Sequence, residues 1–186
     1  IVFLKYLSYN NTKEGEFLYK MDIMPPLVVF VVSFPEAILI SLFGMQIVGI
    51  RPKIPYLVLA ALLQAFSSYF IRALPIDFGY HIPIHLFVYA IILWLVLKIS
   101  YIATQIAILI GFTCYLALES SIVPLIIETM GEPIEAILSQ PALRLTAFLP
   151  QALVFTIILI VTRKLNLSLF KAETYAHSKV DNDEHK

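Results

Sequence analysis

The chain of 186 residues is 60% hydrophobic, with zero formal net charge and a mean hydropathy of +0.86, against roughly 45–50% apolar residues in soluble domains. Zero net charge excludes a basic field for nucleic acid, and no aromatic-plus-basic RNA motif occurs. A single cysteine, Cys114, excludes an internal disulfide framework and a thiolate metal cluster.

From Pro25 to Val161 the sequence is a series of apolar runs broken by few ionisable residues. About 20 apolar residues span a bilayer, and irregular backbone facing lipid would leave N–H and C=O groups unpaired. The expected fold is therefore an all-α, polytopic helical membrane bundle with about five transmembrane helices, four to six bracketing the count. Three regions follow: a polar leader over 1–23, a transmembrane helical domain over 24–164 and a cytoplasmic polar tail over 165–186. In the leader, Ser8 to Glu16 is polar and Ile1 to Leu7 is too short to span. No signal-peptide pattern lines up there, and the natural start is expected at Met21 or Met24.

In chain order, the first span covers Leu27 to Ile50 and contains Pro35 and Glu36. Arg51, Pro52 and Lys53 make a basic turn into a second span, Ile54 to Ile71, closed by Arg72. Leu74 to His85 reads as a loop, because Gly79 and Pro83 fall inside it. A short third span, Ile84 to Leu97, ends at Lys98, and a fourth runs from Tyr101 to Leu118 or on to Ile127, with Glu119 near its far end. An acidic connection, Glu128 to Glu135, leads to a moderately apolar stretch, Ala136 to Leu149. The fifth span, Leu143 to Val161, is bent at Pro150 and stopped by Arg163 and Lys164. In an even-numbered alternative, Ala136–Leu149 is a separate re-entrant element. Phe34-Pro35-Glu36-Ala37 faintly echoes Leu149-Pro150-Gln151-Ala152, as an inverted repeat around a transport site would.

Lys and Arg in short loops face the cytoplasm. Arg51, Lys53, Lys98, Arg163 and Lys164 then lie inside, which puts the N-terminus outside and the C-terminus in the cytoplasm. Tyr56, Tyr69, Phe70, Tyr80 and Tyr101 fall near span ends, as interfacial anchors do.

A charge at the centre of a span costs at least ~2.5–3.5 kcal/mol, so it faces protein or a water-filled cavity. Glu36 and Glu119 are the two carboxylates within spans. Helical spacing groups Glu36 with Ser33, Ala37 and Gly44, and Glu119 with Thr104, Gly111 and Tyr115. Ala61, Gln64, Ala65, Ser68 and Arg72 make a polar and small-residue stripe on the second span. These three faces are expected to meet inside the bundle, with Arg72 and Arg144 as cation partners for Glu119. Three readings of Glu36, Gln64, Ser68, Arg72, Tyr115, Glu119 and Arg144 stay open: packing contacts, a polar cavity for a small ligand, or a proton relay.

Asp77, His81 and His85 are spaced four apart, which on one helix face would gather three metal ligands. The Gly and Pro between them favour a turn instead, no fourth ligand is at hand, and the expectation is no metal. No G-x-S-x-G elbow, H-E-x-x-H or glycine-rich phosphate loop occurs, so neither catalytic residues nor a cofactor are expected. Cys114 reads as a packing residue.

The runs S-F-P-E-A (Ser33–Ala37), G-I-R-P-K (Gly49–Lys53) and Y-F-I-R-A-L-P-I-D-F-G-Y-H (Tyr69–His81) resemble membrane regions of Gram-positive bacteria. In particular, Met24 to Lys164 is similar to the N-terminal multi-helix sensor region of histidine kinases of the quorum-sensing (Agr-type) and sporulation-associated kind. Such kinases continue into a dimerisation helix and an ATP-binding domain, whereas residues 165–186 hold no ATP-binding glycine box. The resemblance implies the sensing half alone, with the bilayer and a second copy or a separate cytoplasmic signalling protein as partners. A compact substrate-capture subunit of an energy-coupling-factor vitamin transporter is the alternative. Ala60, Ala61 and Ala103 would then form its docking face. An accessory subunit of a membrane complex is a third reading.

Overall fold

Helix is the one open-ended spanning structure that pairs every backbone polar group within its own segment. The computed structural model describes residues 26–72, 74, 80–131 and 140–168. They form five helices: α1 (Pro26–Val48), α2 (Ile54–Arg72), α3 (His81–Leu97), α4 (Tyr101–Met130) and α5 (Pro141–Lys164). All but α3, which has 17 residues, are long and apolar enough to cross a membrane. The protein is an all-α, multi-pass membrane protein. The leader, Asp77, Gly79, the segment 132–139 and the tail beyond 168 lie outside the described residues.

Four of the five helices, α1, α3, α4 and α5, stop where the chain turns left-handed. Gly49 has φ +84°, and Ile50 N–H bonds to Met45 C=O (2.8 Å) while Gly49 N–H bonds to Gln46 C=O (3.1 Å). That 6→1 and 5→2 pairing closes the last carbonyls of α1 and aims Arg51 away from the helix. Asn166, at φ +49°, closes α5 the same way, with Leu167 bonded to Thr162 and Asn166 to Arg163. Lys98 and Gly131 end α3 and α4 with single bonds back to Trp94 and Ile127.

Two helices form the centre. α1 packs against α2, α4 and α5, and α4 packs against α1, α3 and α5, while α2 and α3 pair on one flank. Glycine sets the central crossing. A Cβ placed at Gly44 would fall 2.6 Å from the Ala107 carbonyl carbon, and one at Gly111 would fall 3.1 Å from that of Ile40. Bare backbones therefore touch at two points, pairing 44 with 107 and 40 with 111, which fixes α1 and α4 antiparallel. In lipid this close approach drives helix association, because surrounding tails are as apolar as any side chain. Phe155 of α5 is 1% exposed and stacks on Phe43 (5.1 Å) and Tyr115 (5.3 Å), locking α5 onto the pair. On α2 the buried face is Leu57, Ala60, Ala61, Gln64, Ala65, Ser68 and Ile71, while Leu59, Leu62, Leu63, Phe66 and Phe70 point outward.

Several expectations change. α4 continues through Glu128 to Met130, so the acidic connection begins later than Glu128 and Glu119 sits well inside the helix. Helix geometry at Pro124 leaves the Ser120 carbonyl without a donor one turn back, which the helix tolerates. His81, Pro83 and His85 belong to α3 and not to a loop, because proline is compatible with a first helical turn. Residues 141–149 are the start of α5, not a separate re-entrant element. Val32 packs with Phe148 near the start of both helices, and Phe43 with Phe155 further along. α1 and α5 thus run in the same sense, which removes the inverted repeat. Cys114 is exposed on the outside of the bundle. Ala60, Ala61 and Ala103 are at most 1% exposed, sealed between helices and unable to dock a partner.

Candidate polar site in the bundle

Arg51, Lys53, Lys98, Arg163 and Lys164 are all exposed at the end of the bundle that holds the α1–α2 and α3–α4 turns. The other acidic and arginine residues described lie in the opposite half, Glu128 exposed in the last turn of α4 and four of them further in. Glu36 enters from α1, Arg72 from α2, Glu119 from α4 and Arg144 from α5, each partly buried. Four helices thus contribute one charge apiece.

These charges act on one another. Glu36 feels the field of Glu119 and, with opposite sign, those of Arg72 and Arg144. Glu119 lies in the fields of Arg144 and Arg72. Tyr115, 3% exposed, lies in the field of both carboxylates. Its place follows from the glycine crossing: continuing the 44/107 and 40/111 pairing by one turn sets residue 36 beside 115. The set holds two carboxyl groups and two guanidinium groups, which sum to zero charge when all four are ionised.

A second polar layer adjoins it. Gln64, 8% exposed, places its side-chain nitrogen 3.4 Å from His85 Nδ1 on α3. Ser67 Oγ donates to the Gln64 carbonyl (2.9 Å), and Arg72 Nε donates to Ser68 Oγ (3.3 Å). His85 also lies within the fields of Arg72 and His81, joining the two layers. One turn deeper, Tyr89 Oη donates to the Ala37 carbonyl (2.9 Å) and shares a short contact with Ser41 Oγ. Ala37 directly follows Glu36, so this cluster holds the backbone that carries the carboxylate.

Of the residues singled out in the sequence, Glu36, Gln64, Ser68, Arg72, Tyr115, Glu119 and Arg144 converge on one half of the bundle. Asp77 lies outside the described residues, His85 meets Gln64 of α2, and His81 is buried in the first turn of α3. Among the described residues, no group of three His, Cys, Asp or Glu side chains is positioned to hold a metal. Sequence reasoning missed Tyr89, Ser41 and Gln151. Gln151, on α5 one turn before Phe155, is 4% exposed, and its side-chain nitrogen has no hydrogen-bond partner among the described residues. An unpaired buried amide costs about 1–3 kcal/mol, so it marks a polar position in the same half of the bundle. The signal was available: like Glu36, Gln151 is the polar residue that follows a mid-helix proline. No family model matches the chain, nor does any curated protein or solved structure.

Proposed function

We propose that this protein is a ligand-perceiving membrane module, the sensing half of a signalling pair. The observation supporting this is the convergence of Glu36, Arg72, Glu119 and Arg144 from four helices. Gly44 and Gly111 already fix the central crossing, so holding α1 on α4 does not call for four charges. Each charge is expensive at membrane depth and is retained where it meets a polar ligand or a water-filled path. In this reading Gln151 and Tyr115 supply neutral hydrogen-bonding groups beside the charges. The similarity of Ser33–Ala37, Gly49–Lys53 and Tyr69–His81 to quorum-sensing kinase sensor regions supports the same conclusion.

The basic end is cytoplasmic under the positive-inside rule. The N-terminus is then outside, the polar half faces the outer side, and the C-terminus meets a separate cytoplasmic signalling protein or a second copy. Reporter fusions after Lys98 and Ser168 are expected to give a cytoplasmic signal. A periplasm-type signal after Ser168 would reverse the orientation.

The functional test uses a charge-balanced change. Glu119→Gln with Arg144→Gln keeps the layer neutral, and so is expected to leave expression and helix content unchanged. A sensor loses its response: transcript profiles of cells carrying this variant should match those of cells lacking the gene. Profiles indistinguishable from the wild type, with the variant present at equal level, would reduce the layer to a packing device.

A further inference from the structure

The glycine crossing brings two carboxyls into one neighbourhood. Pairing of 44 with 107 and of 40 with 111 sets residue 36 beside 115, and Glu119 follows one turn further along α4. Glu36 lies in the field of Glu119, and Tyr115 in the field of both. Among the described residues, no hydrogen bond reaches either carboxyl. Gln151 joins them from α5. Phe155 stacks on Tyr115 (5.3 Å), and one turn back along that antiparallel pair Gln151 stands level with Glu119. It is 4% exposed, and its amide nitrogen is without a partner among the described residues. The other charged or titratable groups around the pair are Arg72 of α2 and Arg144 of α5. To these α3 adds His85, in the fields of Arg72 and His81, and Tyr89, bonded to the Ala37 carbonyl. Asp77, Glu132 and Glu135 lie outside the described residues.

We propose that Glu36 and Glu119 share one exchangeable proton, so that the ligand of this polar layer is the proton itself. A carboxylate only accepts hydrogen bonds, whereas a carboxylic acid brings its own donor. Two carboxyls without donors at membrane depth repel one another when both ionise, and a single proton held by the pair removes the repulsion. It also supplies the O–H that the surrounding side chains do not. A larger ligand would need a cavity between α1, α4 and α5, whereas a proton needs only an oxygen. The titration belongs to the pair and not to either residue. With the polar half on the outer side, the proton comes from outside. As the outer pH rises, the pair goes from one negative charge to two, and Arg72 on α2 and Arg144 on α5 feel the change. Taking this proton as the signal rests on the ligand-perceiving reading; its presence in the layer does not.

The test is infrared difference spectroscopy of the full chain in lipid nanodiscs, stepped from about pH 5 to about pH 8 in light and heavy water. A carboxylic C=O band that shifts on deuteration is expected at the lower pH and lost at the higher, amounting to about one group per chain. Water-exposed Asp and Glu titrate near about 4, below this window, and imidazole rings carry no C=O. E36Q and E119Q should each abolish the band or move its midpoint by at least about one pH unit. E128Q, at an exposed position, should leave it in place. Absence of such a band from the wild type overturns the proposal, and this arm does not depend on any variant folding. A band unaltered in E36Q or in E119Q also overturns it. The signal is read separately, from transcript profiles of cells moved across the same window. Gene-dependent transcripts should follow the outer pH in the wild type and stop following it in E36Q. If those transcripts depend on the gene but not on pH, the proton is not the signal and the assignment fails, while the ligand-perceiving reading stands.

Discussion

Gly44→Ala is expected to lower stability by about 3 kcal/mol, the upper end of the usual cost of overpacking. The added methyl would lie 2.6 Å from the Ala107 carbonyl carbon. A clashing side chain could rotate aside, but a backbone carbonyl inside a helix cannot. α1 and α4 must separate, and the separation reaches α5, because Phe155 is stacked between Phe43 and Tyr115. Gly111→Ala acts on the same crossing through Ile40, so the double variant should fall short of the sum of the singles. Gly131→Ala is the comparison: a Cβ there meets nothing within 4 Å, and only its φ of +66° resists substitution, at about 1 kcal/mol. Denaturant unfolding in detergent measures all three. A Gly44→Ala loss no larger than that of Gly131→Ala would show that the backbones do not touch as described.

The second large effect concerns charge balance. With all four groups ionised, Glu36→Gln leaves the layer with one excess positive charge, and the expected loss is about 2–3 kcal/mol. This is below the 3–5 kcal/mol typical of breaking a fully buried pair, because Glu36 and Arg72 are only partly buried. Arg72→Gln leaves the opposite excess and also removes the donor to Ser68, so a similar loss follows. Combining the two restores neutrality, with Glu119 left in the field of Arg144. The double variant should therefore be more stable than the sum of the singles predicts. Strict additivity in that cycle would mean the four groups do not behave as one unit.

The reach of the sequence here follows from the nature of the solvent. In water, apolar periodicity marks a helix's buried face; in lipid both faces are apolar, and periodicity goes silent. Small and polar residues still mark the interior. The α2 stripe of Ala61, Gln64, Ala65 and Ser68 could accordingly be read, and so could the inward positions of Ala37, Gly44, Thr104, Gly111 and Tyr115. Cys114 carried no such mark, and it faces outward. The basic turn at 51–53 and the stops at Lys98 and Arg163 were legible because cations avoid the hydrocarbon region. Pro83 and Glu128 misled for a shared reason: each is unfavourable within a typical span, yet each lies in the terminal turn of a helix, where proline fits the open N–H positions and a carboxylate can reach water. The pairing of Gly44 with Ala107, and of Tyr89 with Ala37, depends on which helices become neighbours. That information is not local, so no reading along one segment could supply it.

The unequal helices have a mechanical consequence for the surrounding bilayer. At 1.5 Å per residue, the 17 residues of α3 reach about 26 Å and the 30 residues of α4 about 45 Å. A hydrocarbon core is about 30 Å thick. The two helices are joined by only residues 98–100 at the basic end, so nearly all of the difference accumulates at the other end, as a step beside the ionic layer. For α3 to cross, lipid must thin against it, while α4 tilts or projects, and each ångström of mismatch carries a fraction of a kcal/mol. Membrane thickness therefore loads the two sides of the bundle unequally, and a thicker bilayer pulls hardest on the helix that carries Tyr89 and His85.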